Sequence, residues 1–215
     1  MNIPEFRGKL LRNEPMSRHT SLKVGGPADL YAVPEDLDDL LTLVNWLDQA
    51  RMPRMILGGG YNLLVRDGGI RGAVISLENL KLIELLEGGM IKAWAGAENL
   101  QVVRFGQRFG LGGIGFISGI PGTIGGAVRM NAGAYGNGLL DRMSGLTLLR
   151  GRQVAELPRE LVSYGYRHLD LQPGDIILAI TLQLDAVARE ITESEINKDL
   201  ELRRTKHNVG YPSAG

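Results

Sequence analysis

Cysteine is absent from the 215 residues, which excludes disulfides, thiolate catalysis, cysteine zinc sites and iron–sulfur clusters. Histidine is scarce, at His19, His168 and His207 only, so no metal centre is expected. No aliphatic run approaches the ~20 residues that span a bilayer. The opening "MNIPEFRGKLLRN" lacks the apolar core of a signal peptide. A cytoplasmic protein with no membrane partner is the expectation. An excess of one charge is also missing, because 24 basic residues balance 24 acidic ones; nothing in that balance calls for a nucleic-acid partner. The length suits one large domain or two small ones with a real core. Glycine is what abounds: its 30 residues are about twice average usage, without the period of collagen or the low complexity of a linker.

Periodicity places the glycines between regular elements. "ADLYAVP" reads as a strand, and "PEDLDDLLTLVNWLDQAR" as an amphipathic helix with Leu37, Leu40, Leu41, Val44 and Leu47 on one face and Trp46 on its apolar side. "RMILGG" and "GAVISL" read as buried strands that complete a first lobe, 1–77. A second, α+β lobe covers 78–190. It has two strands around Gly88–Gly89, with Trp94 a strand aromatic, and a helix over "ENLQVVRFGQRFG" that places Leu100, Val103 and Phe109 on one face. Its remaining strands are "SGLTLLRG", "QVAELP" and "DIILAITLQL", the last alternating Ile180, Leu182 and Leu184 with Thr181 and Gln183. The final stretch, 191–215, offers a capping box, Thr192 with Glu195, and a charged helix ending near Gly210. His19 and His168 read as surface residues.

Two glycine-rich segments invite a ligand. In "ILGGGYNLLV" an apolar strand stops at three glycines, and bare backbone amides there form a concavity suited to phosphate oxygens. A tight turn explains the same residues equally well. The phosphate-loop motif is absent, and the one G-x-G-x-x-G match, beginning at Gly110, follows a helix rather than a strand. The second segment, "GFISGIPGTIGGAVRMNAGAYGNG", carries Arg129 as its single charge, with Ser118, Thr123 and Asn131 as polar contacts among small residues. It is too apolar for a solvated linker and leaves room for a flat ligand. Two such segments on successive lobes suggest a dinucleotide lying between them.

"TSLKVGGPADLYAVPED", "LGGGYNLLVRDGGIRGAVI", "GIPGTIGGAVRMNAGAYG", "YRHLDL" and the terminal "YPSAG" follow one another in an order and spacing that resemble the bacterial UDP-N-acetylenolpyruvoylglucosamine reductases. The resemblance covers essentially the whole chain. It implies an α+β, vanillyl-alcohol-oxidase-type FAD-binding fold of two lobes. It also implies noncovalent FAD, NADPH as hydride donor, and reduction of a UDP-sugar enolpyruvyl substrate to UDP-N-acetylmuramate in peptidoglycan precursor synthesis. The family's pattern assigns the pyrophosphate to Gly58, Gly59, Gly60, Tyr61, Asn62 and Leu63. It assigns the flavin side to Gly119, Ile120, Pro121, Gly122, Thr123, Gly125 and Gly126, with Asn131, Ala132, Gly133, Ala134, Tyr135 and Gly136. Arg167 matches the arginine that meets negative charge developing on the substrate carboxylate, and Tyr166 a substrate-contacting tyrosine.

Three departures qualify the match. Tyr61 stands where relatives usually carry a small hydroxyl residue, so its ring must turn outward or crowd the phosphates. The family's proton-donating serine would come directly after Gly215, and 191–215 reads as a linker helix and the start of a substrate domain whose remainder, with a second catalytic carboxylate, is missing; the resemblance favours the shorter subtype, since Leu184 to Gly215 leaves no room for an extra loop. The expectation from these residues is the FAD-binding portion of the reductase, without turnover by itself. A noncatalytic flavin-binding module and another oxidoreductase of the same fold are the alternatives.

Overall fold

The computed structural model describes residues 5–134, 136–206 and 212. They form two compact units, the first closing at Leu80 and the second opening at Lys81.

The first unit is a four-stranded sheet with one helix. Strand β1 (Lys9–Pro15) leads to β2 (Pro27–Val33), helix α1 (Leu37–Gln49), β3 (Arg54–Leu57) and β4 (Ile70–Ser76). The sheet order is β1-β2-β4-β3, with β4 parallel to both β2 and β3, and β1 antiparallel at the edge. Inner strands of a parallel set are covered on both faces. Leu30 to Val33 and Ala73 to Ser76 are accordingly buried without a break. Strand β1 carries no such signal, since "KLLRNEP" is polar and only partly covered; hydrogen bonding to β2, rather than its own pattern, makes it a strand. Helix α1 starts where the Asp36 carboxylate accepts from Asp39 N at 2.9 Å, an N-cap. The Asp39 carboxylate in turn accepts from the amides of Arg7 and Gly8, both at 2.8 Å, and of Glu35 at 2.9 Å. Leu40, Val44 and Leu47 are buried as expected, joined by Leu43.

The second unit centres on an antiparallel sheet in the order β11-β10-β14-β6-β5. In chain order it contains β5 (Ile83–Leu86), β6 (Met90–Trp94), α2 (Asn99–Arg108), β7 (Leu111–Gly112), α3 (Ile124–Arg129), β8 (Gly133–Ala134) and β9 (Asn137–Gly138). Then come β10 (Met143–Arg150), β11 (Gln153–Pro158), β12 (Tyr164–Gly165), β13 (His168–Leu169), β14 (Ile176–Gln183), β15 (Asp185–Ala186) and α4 (Arg189–Lys206). Ile180, Leu182 and Leu184 are buried while Gln183 is exposed, the alternation anticipated for β14. Gly125 lets α3 lie on β6, because a Cβ there would come within 2.8 Å of the Ala95 Cβ.

Arg150, ending β10, grips both Asp175 oxygens, with Nε at 3.0 Å and Nη2 at 2.8 Å. That paired guanidinium holds the Asp175 carboxyl below its ordinary range. A depressed carboxyl stabilises the fold above its unfolded pKa, near 4 for aspartate, and loses that contribution as the pH falls through the lower folded value. Asp175→Asn is therefore expected to lower the urea midpoint at pH 7 and to lower it less at pH 2–3. An equal deficit at both pH values would remove the ionised pair from the account.

Four expectations need correction. Phe109 lies past the end of α2 and is half exposed, stacking tilted on Phe105 at 4.9 Å, whereas the helix buries Val102, Val103 and Gly106. Thr192 does not open the last helix: α4 begins three residues earlier, at Arg189, and Thr192 is buried within it. Trp46 is half-buried and not core, since the covered stripe of α1 runs through Leu43 and Leu47. His19 is no surface residue either; its ring stacks on Tyr31 at 3.9 Å and meets Glu14 Oε1 at 3.0 Å. His168 is exposed as anticipated. The expected helix end near Gly210 and the "HNVG" and "YPSAG" features, apart from Pro212, fall outside the described residues.

Candidate functional site

In the first unit, β3 ends at Leu57 and the chain leaves the sheet through Gly58 and Gly59, both exposed. Gly60 follows, buried and at φ +69, and a Cβ there would sit 2.0 Å from the carbonyl oxygen of His19. Only glycine fits such a left-handed, closely approached position. The Gly60 carbonyl accepts from Ser21 N at 3.1 Å and Ser21 Oγ at 3.3 Å. Among the described residues, no protein acceptor takes an N–H from Gly58 to Asn62. The turn is thus held through its carbonyl side and leaves its amides available. Tyr61 is 41% exposed and Asn62 exposed, while Leu63 is half-buried.

In the second unit the small-residue segment forms the loop Gly119–Thr123, helix α3 and the β8–β9 hairpin. Three carbonyls of the loop are tied down. Gly119 O accepts from Arg203 Nη1 on α4 at 3.1 Å, Ile120 O from Asn99 Nδ2 at 3.0 Å, and Gly122 O from Asn99 N at 3.1 Å. Ser118 Oγ and Thr123 Oγ1 are buried with no hydrogen-bond partner among the described residues. A Cβ on Gly126 would meet nothing closer than Thr123 Oγ1 at 3.9 Å, so a bare face lies open there.

Asn131 stops α3 in a Schellman arrangement. It sits at φ +39 with its N–H on Val128 O at 3.1 Å, while Ala132 N reaches Ala127 O at 2.7 Å. Its side chain is engaged by protein: Nδ2 donates to Gly165 O at 2.9 Å and Oδ1 accepts from Leu140 N at 3.1 Å. Gly133 is held by hairpin geometry, since a Cβ would fall 2.1 Å from Asn137 O. Ala132 is buried, Ala134 half-buried and Gly136 exposed at φ +84; Tyr135 lies outside the described residues.

Tyr166 and Arg167 form the two-residue tip between β12 and β13, with Arg167 at φ +53. Tyr166 is 92% exposed, and the Arg167 guanidinium carbon lies 5.6 Å from its ring centroid. Arg167 Nη2 donates to Gly133 O at 3.0 Å. That bond, with the one from Asn131 to Gly165, gathers four expected residues from two distant sequence motifs into one place. Asn99 and Arg203, which fix the loop, were not singled out from the sequence. The available signal was a buried amide on the same helix as Val102 and Val103. The open groove along α4, lined by Glu190, Ile191, Ser194, Glu195 and Lys198, contains none of the expected site residues.

Residues 28–152 match the model of the FAD binding domain family. The chain is 64% identical to the UDP-N-acetylenolpyruvoylglucosamine reductase of Pelobacter propionicus, over 98% of this chain and 71% of that protein. The chain belongs to the UDP-N-acetylenolpyruvoylglucosamine reductase family. The reductase of Geotalea uraniireducens is 49% identical over 99% of this chain and 71% of its own length. The crystal structure of the Thermus caldophilus reductase superposes with a TM-score of 0.80 at 28% identity, covering 97% of this chain and 73% of that one. A cholesterol oxidase from Brevibacterium sterolicum matches at a TM-score of 0.60 and 19% identity, a likeness of fold alone. The vanillyl-alcohol-oxidase-type FAD-binding fold anticipated from the motifs is therefore the fold of this reductase-family chain.

The residues present fit FAD. A diphosphate needs several donors close to bare backbone, and the amides of Gly58 to Asn62, without a partner among the described residues, are available for that. A flat ring system needs an uncluttered wall with a few polar atoms, which Gly126, Ser118 Oγ and Thr123 Oγ1 provide.

Proposed function

We propose that this chain serves the FAD-dependent, NADPH-driven reduction of UDP-N-acetylglucosamine enolpyruvate to UDP-N-acetylmuramate in peptidoglycan precursor synthesis. The observation that carries the reading is the run of unpartnered amides from Gly58 to Asn62, held open by the clasp on the Gly60 carbonyl. In this reading Gly58 to Leu63 hold the pyrophosphate. Gly119 to Gly126 and Asn131 to Gly136 hold the flavin side. When bound, FAD supplies hydride transfer between the nicotinamide and the enolpyruvyl double bond.

The chain's own residues position and stabilise. Reduction next to a carboxylate builds negative charge on it, and a fixed cation lowers the barrier. Arg167 is that cation, aimed by its bond to Gly133 O, and Tyr166 contacts the substrate beside it. Asn131 acts by holding the tip that carries both residues. Among the described residues no helix is long and apolar enough to cross a membrane, in keeping with work in the cytoplasm on a soluble sugar nucleotide.

Titration of the purified chain with FAD tests the reading. Stoichiometric uptake is expected, with acid releasing intact FAD, because none of the three histidines lies in the glycine segments that could carry a covalent link. A folded chain that takes up no flavin would overturn it.

A further inference from the structure

The loop Gly119–Thr123 belongs to no helix or sheet, so its shape depends on the few bonds it makes. Its Gly122 stands at φ +131, a conformation that side chains rarely adopt, and Pro121 has no N–H to contribute. The Asn99 side chain answers for the carbonyl of Ile120 and the Arg203 side chain for that of Gly119, while the Gly122 carbonyl is held by the Asn99 backbone N–H, which any residue but proline would supply. Asn99 is 2% exposed, and its Oδ1 is buried without a partner among the described residues. An unmatched buried acceptor is unfavourable. A leucine of similar size would avoid that cost beside Val102 and Val103. What leucine could not do is donate to Ile120 O.

We infer that Asn99 is a positioning residue for the flavin-side loop, its side chain fixing Ile120 in the conformation that receives the cofactor. The inference rests on the proposed FAD reading and deepens it. Preorganisation of this kind acts through affinity and through the environment of the bound ring, since a loop already in its bound shape loses less freedom on binding. Asn99 touches the cofactor only through the loop it holds. Arg203 supports the same loop from α4, likewise with one side-chain bond.

The test is FAD titration of the full chain and of Asn99→Leu, Asn99→Asp and Asn45→Leu, each followed by visible circular dichroism of the bound flavin at saturation. Asn99→Asp keeps the shape and an acceptor but removes the donor to Ile120 O. Asn45, in α1, has its own buried Oδ1 without a partner among the described residues, and so controls for loss of a buried amide elsewhere. Both Asn99 variants are expected to bind FAD ~10-fold more weakly or worse and to change the flavin dichroism, while Asn45→Leu changes neither. Should Asn99→Leu fail to fold, Asn99→Asp and Arg203→Met carry the test, the latter with an effect in the same direction. Folded Asn99 variants with parental affinity and an unchanged flavin spectrum overturn the inference and leave the cofactor reading standing. A parent chain that takes no FAD overturns both.

Discussion

Gly59→Asp is expected to leave the fold of the first unit intact and to weaken FAD binding by ~10²–10³-fold. Gly59 is exposed, so a side chain there meets solvent and costs the fold little. The ligand is affected differently. A carboxylate ~4 Å from a phosphate charge is repelled by about 4 kcal/mol at an effective dielectric near 20. That is about a thousandfold in affinity, and ionic screening at an open site brings it toward a hundredfold. Gly60→Ala provides the contrast. Its Cβ would lie 2.0 Å from the His19 carbonyl oxygen at φ +69, so that change should lower thermal stability as well as FAD affinity. Titration calorimetry beside thermal unfolding separates the two. Unchanged FAD affinity in Gly59→Asp would show that the triple glycine is only a turn.

Arg167→Ala, made in an FAD-loaded reductase of the relatives' full length, of which this chain spans about 71%, is expected to lower turnover ~10²-fold or more while FAD content stays near that of the parent. Removing one donor aimed at developing charge commonly costs ~10²–10³-fold. The structure supplies the reason for selectivity: among the described residues, Arg167 reaches the proposed cofactor segment only at Gly133 O, and the hairpin retains its second tie from Asn131 to Gly165. Arg167→Lys should recover only part of the rate, because an ammonium lacks the planar fork that serves a carboxylate and the carbonyl together. Substrate-dependent NADPH oxidation, beside the flavin absorbance of the same preparation, measures both quantities. Parallel loss of FAD and activity would make Arg167 a structural residue of the hairpin.

How much was legible in the chain varies from element to element. The inner strands β2, β4 and β14 were readable because continuous or alternating apolar runs report burial directly. Strand β1 was not, since an edge strand with polar residues draws its pairing from a partner far along the sequence. Phe109 was misplaced because helical spacing continues past the point where α2 ends. Thr192 fitted a capping box by residue type alone, yet three further residues at its start had joined the helix.

The sequence by itself determined the fold class, the glycine segments and the residue types of the site, because those depend on local backbone freedom and on ordered motifs. Tertiary structure alone decided which glycines are bare walls and which are packing contacts, as at Gly126 and Gly125. It also decided that Asn131 is occupied by Gly165 and Leu140, that Arg167 leans on Gly133, and that Asn99 and Arg203 hold the loop. The physical reason is that a glycine or an amide has the same local chemistry wherever it occurs. Its role is set by which backbone carbonyl, distant in sequence, folding brings within 3 Å or so of it.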